Sequence, residues 1–239
     1  MEHEITGHTR KVYKIWKNPN ISFWKKFREI GIEILIIVFA VSLAAFLERQ
    51  REHGSEQKQV KEFLTGLKTD LLSDVAEMGE DKKTFTMAHK AFVYLTSVKP
   101  GEKINKDSVH RYSNYITNTT GLVPNDGRYQ GFKSSGKIST IENIELQNDI
   151  LDLYQENIPL LLTSTDNYTQ KKQVLFRLLL EQVKRRPDGS SDILEVFSTD
   201  KAYNIFSTLT STGEILARYD TVINKSKKII AAIDKEYGK

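Results

Sequence analysis

The residues with the most chemical potential lie at 131–140, "GFKSSGKIST". Gly131, four residues, Gly136 and Lys137 reproduce the frame of a phosphate-binding loop, in which backbone N–H groups cradle phosphates and the lysine reaches them. That chemistry also needs a Ser or Thr directly after the lysine to hold Mg²⁺, and here the residue is Ile138. A branched alkyl group cannot ligate a metal, and Ser139 comes one position late. The motif further requires a buried strand in front of it, whereas "GLVPNDGRYQ" is rich in turn formers. Nucleotide binding is therefore not expected. Ser134 and Lys137 also form a Ser-x-x-Lys pair, but in hydrolases of that type the serine leads a helix, and both residues precede the helix start expected here.

Other chemistry is equally poorly supported. His3, His8, His53, His89 and His110 contain no i, i+4 pair and no His-Glu-x-x-His frame, so they do not spell a metal site. The chain has no cysteine, which removes disulfides, thiolate metal sites and cysteine nucleophiles together. We assign no catalytic, cofactor or metal residue and expect no enzymatic activity.

Charge is distributed unevenly. Residues 1–29 hold seven basic groups (Arg10, Lys11, Lys14, Lys17, Lys25, Lys26, Arg28) and three acidic ones (Glu2, Glu4, Glu29), a net of +4. From Glu48 onward 28 basic groups face 27 acidic ones. A nucleic-acid binder is expected to carry a basic face on its folded domain, so this balance argues against a nucleic-acid partner.

The segment after the basic arm explains it. Residues 30–47, "IGIEILIIVFAVSLAAFL", carry one charge, Glu33, and make a helix about 27 Å long at 1.5 Å per residue, which just spans a bilayer. Basic residues precede the run and mixed charges follow it, placing the N-terminus in the cytoplasm and residues 48–239 outside the inner membrane. Trp16, Trp24, Lys25, Lys26 and Arg28 form the expected interfacial belt, with Phe23 and Phe27 beside them. Glu33, one turn inside, can snorkel or meet a Lys or Arg; an acid within a span is otherwise a functional candidate. Two alternatives stand beside a permanent anchor: a signal peptide cleaved after Ser42-Leu43-Ala44, and a buried core helix.

Beyond the span the apolar spacing is helical. Val60, Leu64, Leu67, Leu71, Val75 and Met78 form one stripe, on a helix that continues from the span, kinked or interrupted near His53-Gly54, to about Val98. A short helix follows at Asp107–Asn118, then an irregular loop at 119–138. Ser139 and Glu142 offer a capping box, with Asn143 as a rival cap. The third stripe runs Leu146, Ile150, Leu153, Leu160 or Leu161, Tyr168, Leu175, Leu179, Val183, kinked at Pro159. After the turn "RRPDGSSD", a single last helix capped near Asp200 carries Ile205, Leu209, Leu216, Tyr219, Ile223, Ile230 and Ile233. The fold expected is all-α: a transmembrane helix continuing into an up-and-down extracytoplasmic bundle of three long helices plus a short one.

The runs "REIGIEILIIVFAVSLAAFLERQREH", "EFLTGLKTDLLSDVAEM" and "GFKSSGKISTIENIELQNDILDLYQ" resemble a domain-of-unknown-function family of single-pass, membrane-anchored helical proteins widespread in Bacteroidota. The resemblance implies topology: a basic N-terminus, one membrane helix and an outer helical domain. It implies no activity.

Two functional classes remain. One is a scaffold or accessory subunit that presents a helix face or the 119–138 loop to an envelope protein or to a second copy of itself. The other is a ligand-sensing module that signals through a membrane partner. Tyr129, Phe132, Lys133, Ser134 and Lys137 are the expected partner contacts, since ordered irregular segments often carry function. The alternative is that Phe132 packs inward and its polar neighbours cap helices.

Overall fold

Long stretches of good helix formers, broken mainly by isolated glycines and a few Pro-Gly and Asp-Gly turns, leave little room for any other local structure. The computed structural model, which describes residues 13, 14, 17 and 23–238, is 82% helix. Among the described residues there is no strand, only an isolated bridge between Arg185 and Ser191. Residues 1–59 and 60–239 form two compact units.

Helix α1 covers Phe23–Ser97, 75 residues without a break. The interruption expected at His53-Gly54 is absent. Gly54 faces open space, its flanks are rich in Glu, Gln, Lys and Arg, and one interior glycine costs only about 1 kcal/mol relative to alanine. Within the first unit, Ile34, Leu35, Val38, Phe39, Phe46 and Leu47 are exposed. Only 6% of the most apolar 18-residue window is buried, which is not how a core helix is packed; the helix is long and apolar enough to cross a membrane.

The second unit buries the predicted stripes. Val60, Leu64, Leu67, Leu71 and Met78 of α1 are fully packed, and Val75 is half-buried. Helix α2 (Lys106–Thr117) starts at Asn105, whose side chain accepts the Ser108 N–H. Helix α3 (Gly127–Ser134) occupies part of the segment expected to be irregular. A 3₁₀ turn at Lys137–Thr140 follows, and here the capping expectation is corrected. Ser139 bonds back to the Gly136 carbonyl within that turn. Asn143 caps α4 (Ile144–Asp152), accepting the Leu146 N–H at 3.1 Å. Ile141 explains the shift: it is buried in extended conformation, so the helix can open only after it.

Helix α4 runs through a π segment, Leu153–Asn157, into α5 (Ile158–Gln182). Pro159 has no N–H, and its ring would press on the carbonyl four residues back. The widened turn, in which the Ile158 N–H bonds Leu153 O, accommodates that defect where a kink was expected. Leu161 rather than Leu160 faces the core.

The Asp188–Gly189 turn is closed by Ser190, whose N–H and hydroxyl both bond the Asp188 carboxylate. Gly189 sits at φ +84°, where glycine is free of strain. The single last helix is instead three pieces: α6 (Ile193–Phe197), α7 (Asp200–Leu209) and α8 (Gly213–Tyr237). Thr210, Ser211, Thr212 and Gly213 are poor helix formers, and the Thr210 hydroxyl bonds back to Ser207 O. The three long runs of the sequence reading are present, but among the described residues four short helices accompany them rather than one. Ion pairs Lys68–Asp234 and Lys82–Asp220 set α1 antiparallel to α8. Glu145–Lys228 (2.7 Å) and Asp149–Lys225 (2.9 Å) do the same for α4 and α8.

Because α1 is continuous at residue 54, Gly54→Ala should stabilise the local helix by about 0.5–1 kcal/mol. Amide exchange around residues 50–58 should slow several-fold; unchanged or faster exchange means the chain is not helical there.

Candidate functional site

The segment linking α2 to α3 carries the residues of greatest functional interest, and a row of acids on α1 holds it. Asp70, Asp74, Glu77 and Asp81 are spaced four, three and four apart, so they share one face of the helix. Each receives a group from this segment or from the start of α3, in reverse order. Arg128 Nε donates to Asp70 at 2.9 Å. Asn125 donates its backbone N–H (3.2 Å) and side-chain amide (2.6 Å) to Asp74. The Val123 N–H reaches Glu77 at 3.0 Å. Asp81 accepts from the Thr120 hydroxyl and, at 2.8 Å, from the Tyr219 hydroxyl of α8. Non-helical backbone must find acceptors when it packs against protein, and these carboxylates supply them. Gly66 completes the fit, because a side chain there would overlap the Arg128 guanidinium.

Asp74 and Asp81 are buried. Burial pushes the Asp74 carboxyl above its usual range; the two Asn125 bonds oppose that, and neighbouring Glu77 and Asp70 add to it. Burial and the adjacent Asp81 carboxylate push the Tyr219 hydroxyl well up, so it stays a donor.

The expected contact residues divide. Tyr129 is buried, stacked on Tyr154 at 4.2 Å, with its hydroxyl accepting from Gln155. Phe132 is half-buried and stacks on Phe63 of α1 at 4.0 Å. Lys133 is exposed, with Nζ 5.7 Å from the Tyr129 ring centroid. Ser134 is exposed and bonds back to Gly131 O, and Lys137 is exposed in the 3₁₀ turn. The two aromatics thus fasten α3 inward, and the polar side chains face out. The Tyr154 hydroxyl, in the π segment, is buried without a hydrogen-bond partner among the described residues.

Lys172 was not singled out in the sequence, yet it is one of the most buried side chains. Its ammonium donates to the Tyr115 carbonyl at 2.7 Å and to the Asn118 carbonyl, at the C-terminal end of α2, where a cation is favoured by the helix dipole. The Tyr168 ring lies beneath it at 6.0 Å. Burial pulls its pKa down to about 8 from an ordinary 10.5, against the pull of those carbonyls. A signal was present: Lys172 sits at i+4 from Tyr168 and i−3 from Leu175, a lysine inside an apolar stripe.

At the interface positions, Trp24 is 79% and Phe27 67% exposed, and Arg28 is exposed. Glu33 is buried while its neighbours Ile32 and Ile34 are exposed. Lys25 and Lys26 lie in α1, their side chains outside the described atoms; Trp16 lies outside the described residues. No group of three or more metal-ligating side chains occurs among the described residues. A cleft of about 350 Å³ opens where α1 ends against α6 and α7, with Leu95, Ile104 and Phe197 buried at its floor and Lys99, Asp200 and Tyr203 at its rim.

Lys172→Met leaves two carbonyls unpaired and should destabilise the second unit by about 1–3 kcal/mol. A lysine whose folded pKa lies below its unfolded value contributes stability that is fully present above the unfolded pKa and lost as pH falls through the folded one. Wild-type stability should accordingly rise from pH 8 towards 10.5 by this group, a slope read by denaturant titration and absent in Lys172→Met. No family model, curated protein or solved structure matches the chain.

Proposed function

We propose that this is a single-pass protein of the inner membrane, N-terminus cytoplasmic, whose helical domain acts outside as a scaffold or accessory subunit of a cell-envelope complex. The observation that carries the reading is the apolar segment 30–47: it lies in one unbroken helix, most of its side chains are exposed, and a net charge of +4 is gathered on its N-terminal side while the charges beyond it nearly balance. Exposing that much apolar side chain to water is unfavourable at roughly 25 cal/mol per Å², and a bilayer removes the penalty. In the domain that follows, the acid row, Lys172 and the α1–α8 and α4–α8 ion pairs tie its helices and linking segment together, an arrangement suited to rigid presentation of a surface. Lys133, Ser134 and Lys137 form the exposed rim of α3 and its turn that such a surface would use.

The cleft floored by Phe197 favours a second reading, ligand sensing through a membrane partner, since about 300–1,000 Å³ is the range of small-molecule sites. A metabolite screen by thermal shift separates the two: stabilisation of the wild-type chain, lost on filling the cleft with Ile104→Trp, supports sensing.

Alkaline carbonate should leave the full-length chain in the membrane pellet, and alkaline phosphatase fused to the C-terminus should be active. Extraction into the supernatant, or a mature N-terminus following Ala44, would sink the anchor. Crosslinking in native membranes should capture a protein partner in a manner weakened by Lys133→Ala with Lys137→Ala at unchanged melting; undiminished capture removes that rim from the contact.

A further inference from the structure

The formal charge of the whole chain is 35 basic minus 31 acidic groups, +4, and the arm at 1–29 alone is seven minus three, also +4. Everything after the arm is therefore neutral, 28 against 28. Within the arm the basic groups are interleaved with aromatics. Lys17 Nζ lies 4.9 Å over the Tyr13 ring, and Trp24, Phe27 and Arg28 share one face of α1 at i, i+3 and i+4, all exposed. That face leads directly into the exposed apolar run. An acidic protein would satisfy the charges alone, and a nucleic acid, whose bases can stack on the aromatics, would still leave the apolar run in water. An anionic bilayer surface meets both, with its hydrocarbon beside its headgroups.

We infer that the arm is a lipid-selecting surface, which gathers anionic headgroups around the cytoplasmic end of the span. The inference rests on the membrane-anchored reading. Because the rest of the chain is neutral, the arm carries all of the protein's net electrostatic attraction to such a leaflet. That attraction decays within a Debye length, from about 10 Å at 0.1 M salt to about 3 Å at 1 M.

The chain provides its own probe, since both of its tryptophans, Trp16 and Trp24, lie in the arm. Full-length protein is reconstituted into vesicles of equal parts phosphatidylcholine and phosphatidylglycerol, with one lipid or the other brominated to quench tryptophan emission. At low salt, brominated phosphatidylglycerol should quench with a roughly twofold or greater excess over brominated phosphatidylcholine. The excess should vanish at about 1 M salt. It should also vanish when Lys14, Lys17, Lys25, Lys26 and Arg28 are all replaced by Gln, while both proteins stay in the carbonate-washed pellet. Equal quenching at low salt would overturn lipid selection and leave the anchor standing; an excess that survives the five substitutions would show that charge is not its cause. Emission insensitive to both quenchers would bring down the inference and the anchored reading together.

Discussion

The packing of the second unit depends on one constraint: a stretch of chain that is not helical lies against α1 and must have its amide and side-chain donors satisfied there. Asp74, Glu77 and Asp81 on α1 meet it, and Asp70, one turn earlier, holds Arg128 at the start of α3. Asp81 extends the arrangement by accepting from Tyr219, so the same row that orders the link between α2 and α3 also fixes α8. The energetic logic is asymmetric. A satisfied buried polar group contributes modestly, whereas an unsatisfied one costs about 1–3 kcal/mol, so the row specifies a single arrangement more than it adds stability. Asp74 shows the tension, since its burial favours the neutral acid while its bonds from Asn125 favour the carboxylate.

Lys172 does for the end of α2 what the acids do for the link. Its ammonium reaches two carbonyls at a helix C-terminus, and it is buried. The π segment is a comparable compromise. It absorbs the proline that follows, and it seats Tyr154 against Tyr129, leaving the Tyr154 hydroxyl buried without a hydrogen-bond partner among the described residues. Both features tie short or irregular pieces to the long helices, so that α3 is held from two sides, by Phe63 stacking on Phe132 and by Tyr154 stacking on Tyr129.

The first unit follows a different rule. Its side chains are apolar and exposed along the run, and its charge is gathered at one end. The unit that follows it in sequence has several ion pairs between its helices, and in the proposed reading the first part serves location and the second surface presentation. That division is the physical content of the scaffold reading.

Helical periodicity, the apolar run, the basic arm and the Asp188–Gly189 turn were legible in the sequence because each depends on neighbours within a few residues. Leu64, Leu67, Leu71, Leu146, Ile150 and Tyr219 went to the core as their spacing requires. What failed to appear locally was decided by partners far along the chain. Residues 127–134 read as loop, and α3 forms there with Tyr129 and Phe132 packed against Tyr154 and Phe63. Asn143 displaced Ser139 as a cap because Ile141 had to reach the core. The acid row and Lys172 take on their roles only because a segment some 40 to 60 residues away in sequence brings the donors and carbonyls they bind. Periodicity tells which way a residue points, and only the tertiary structure decides what it meets.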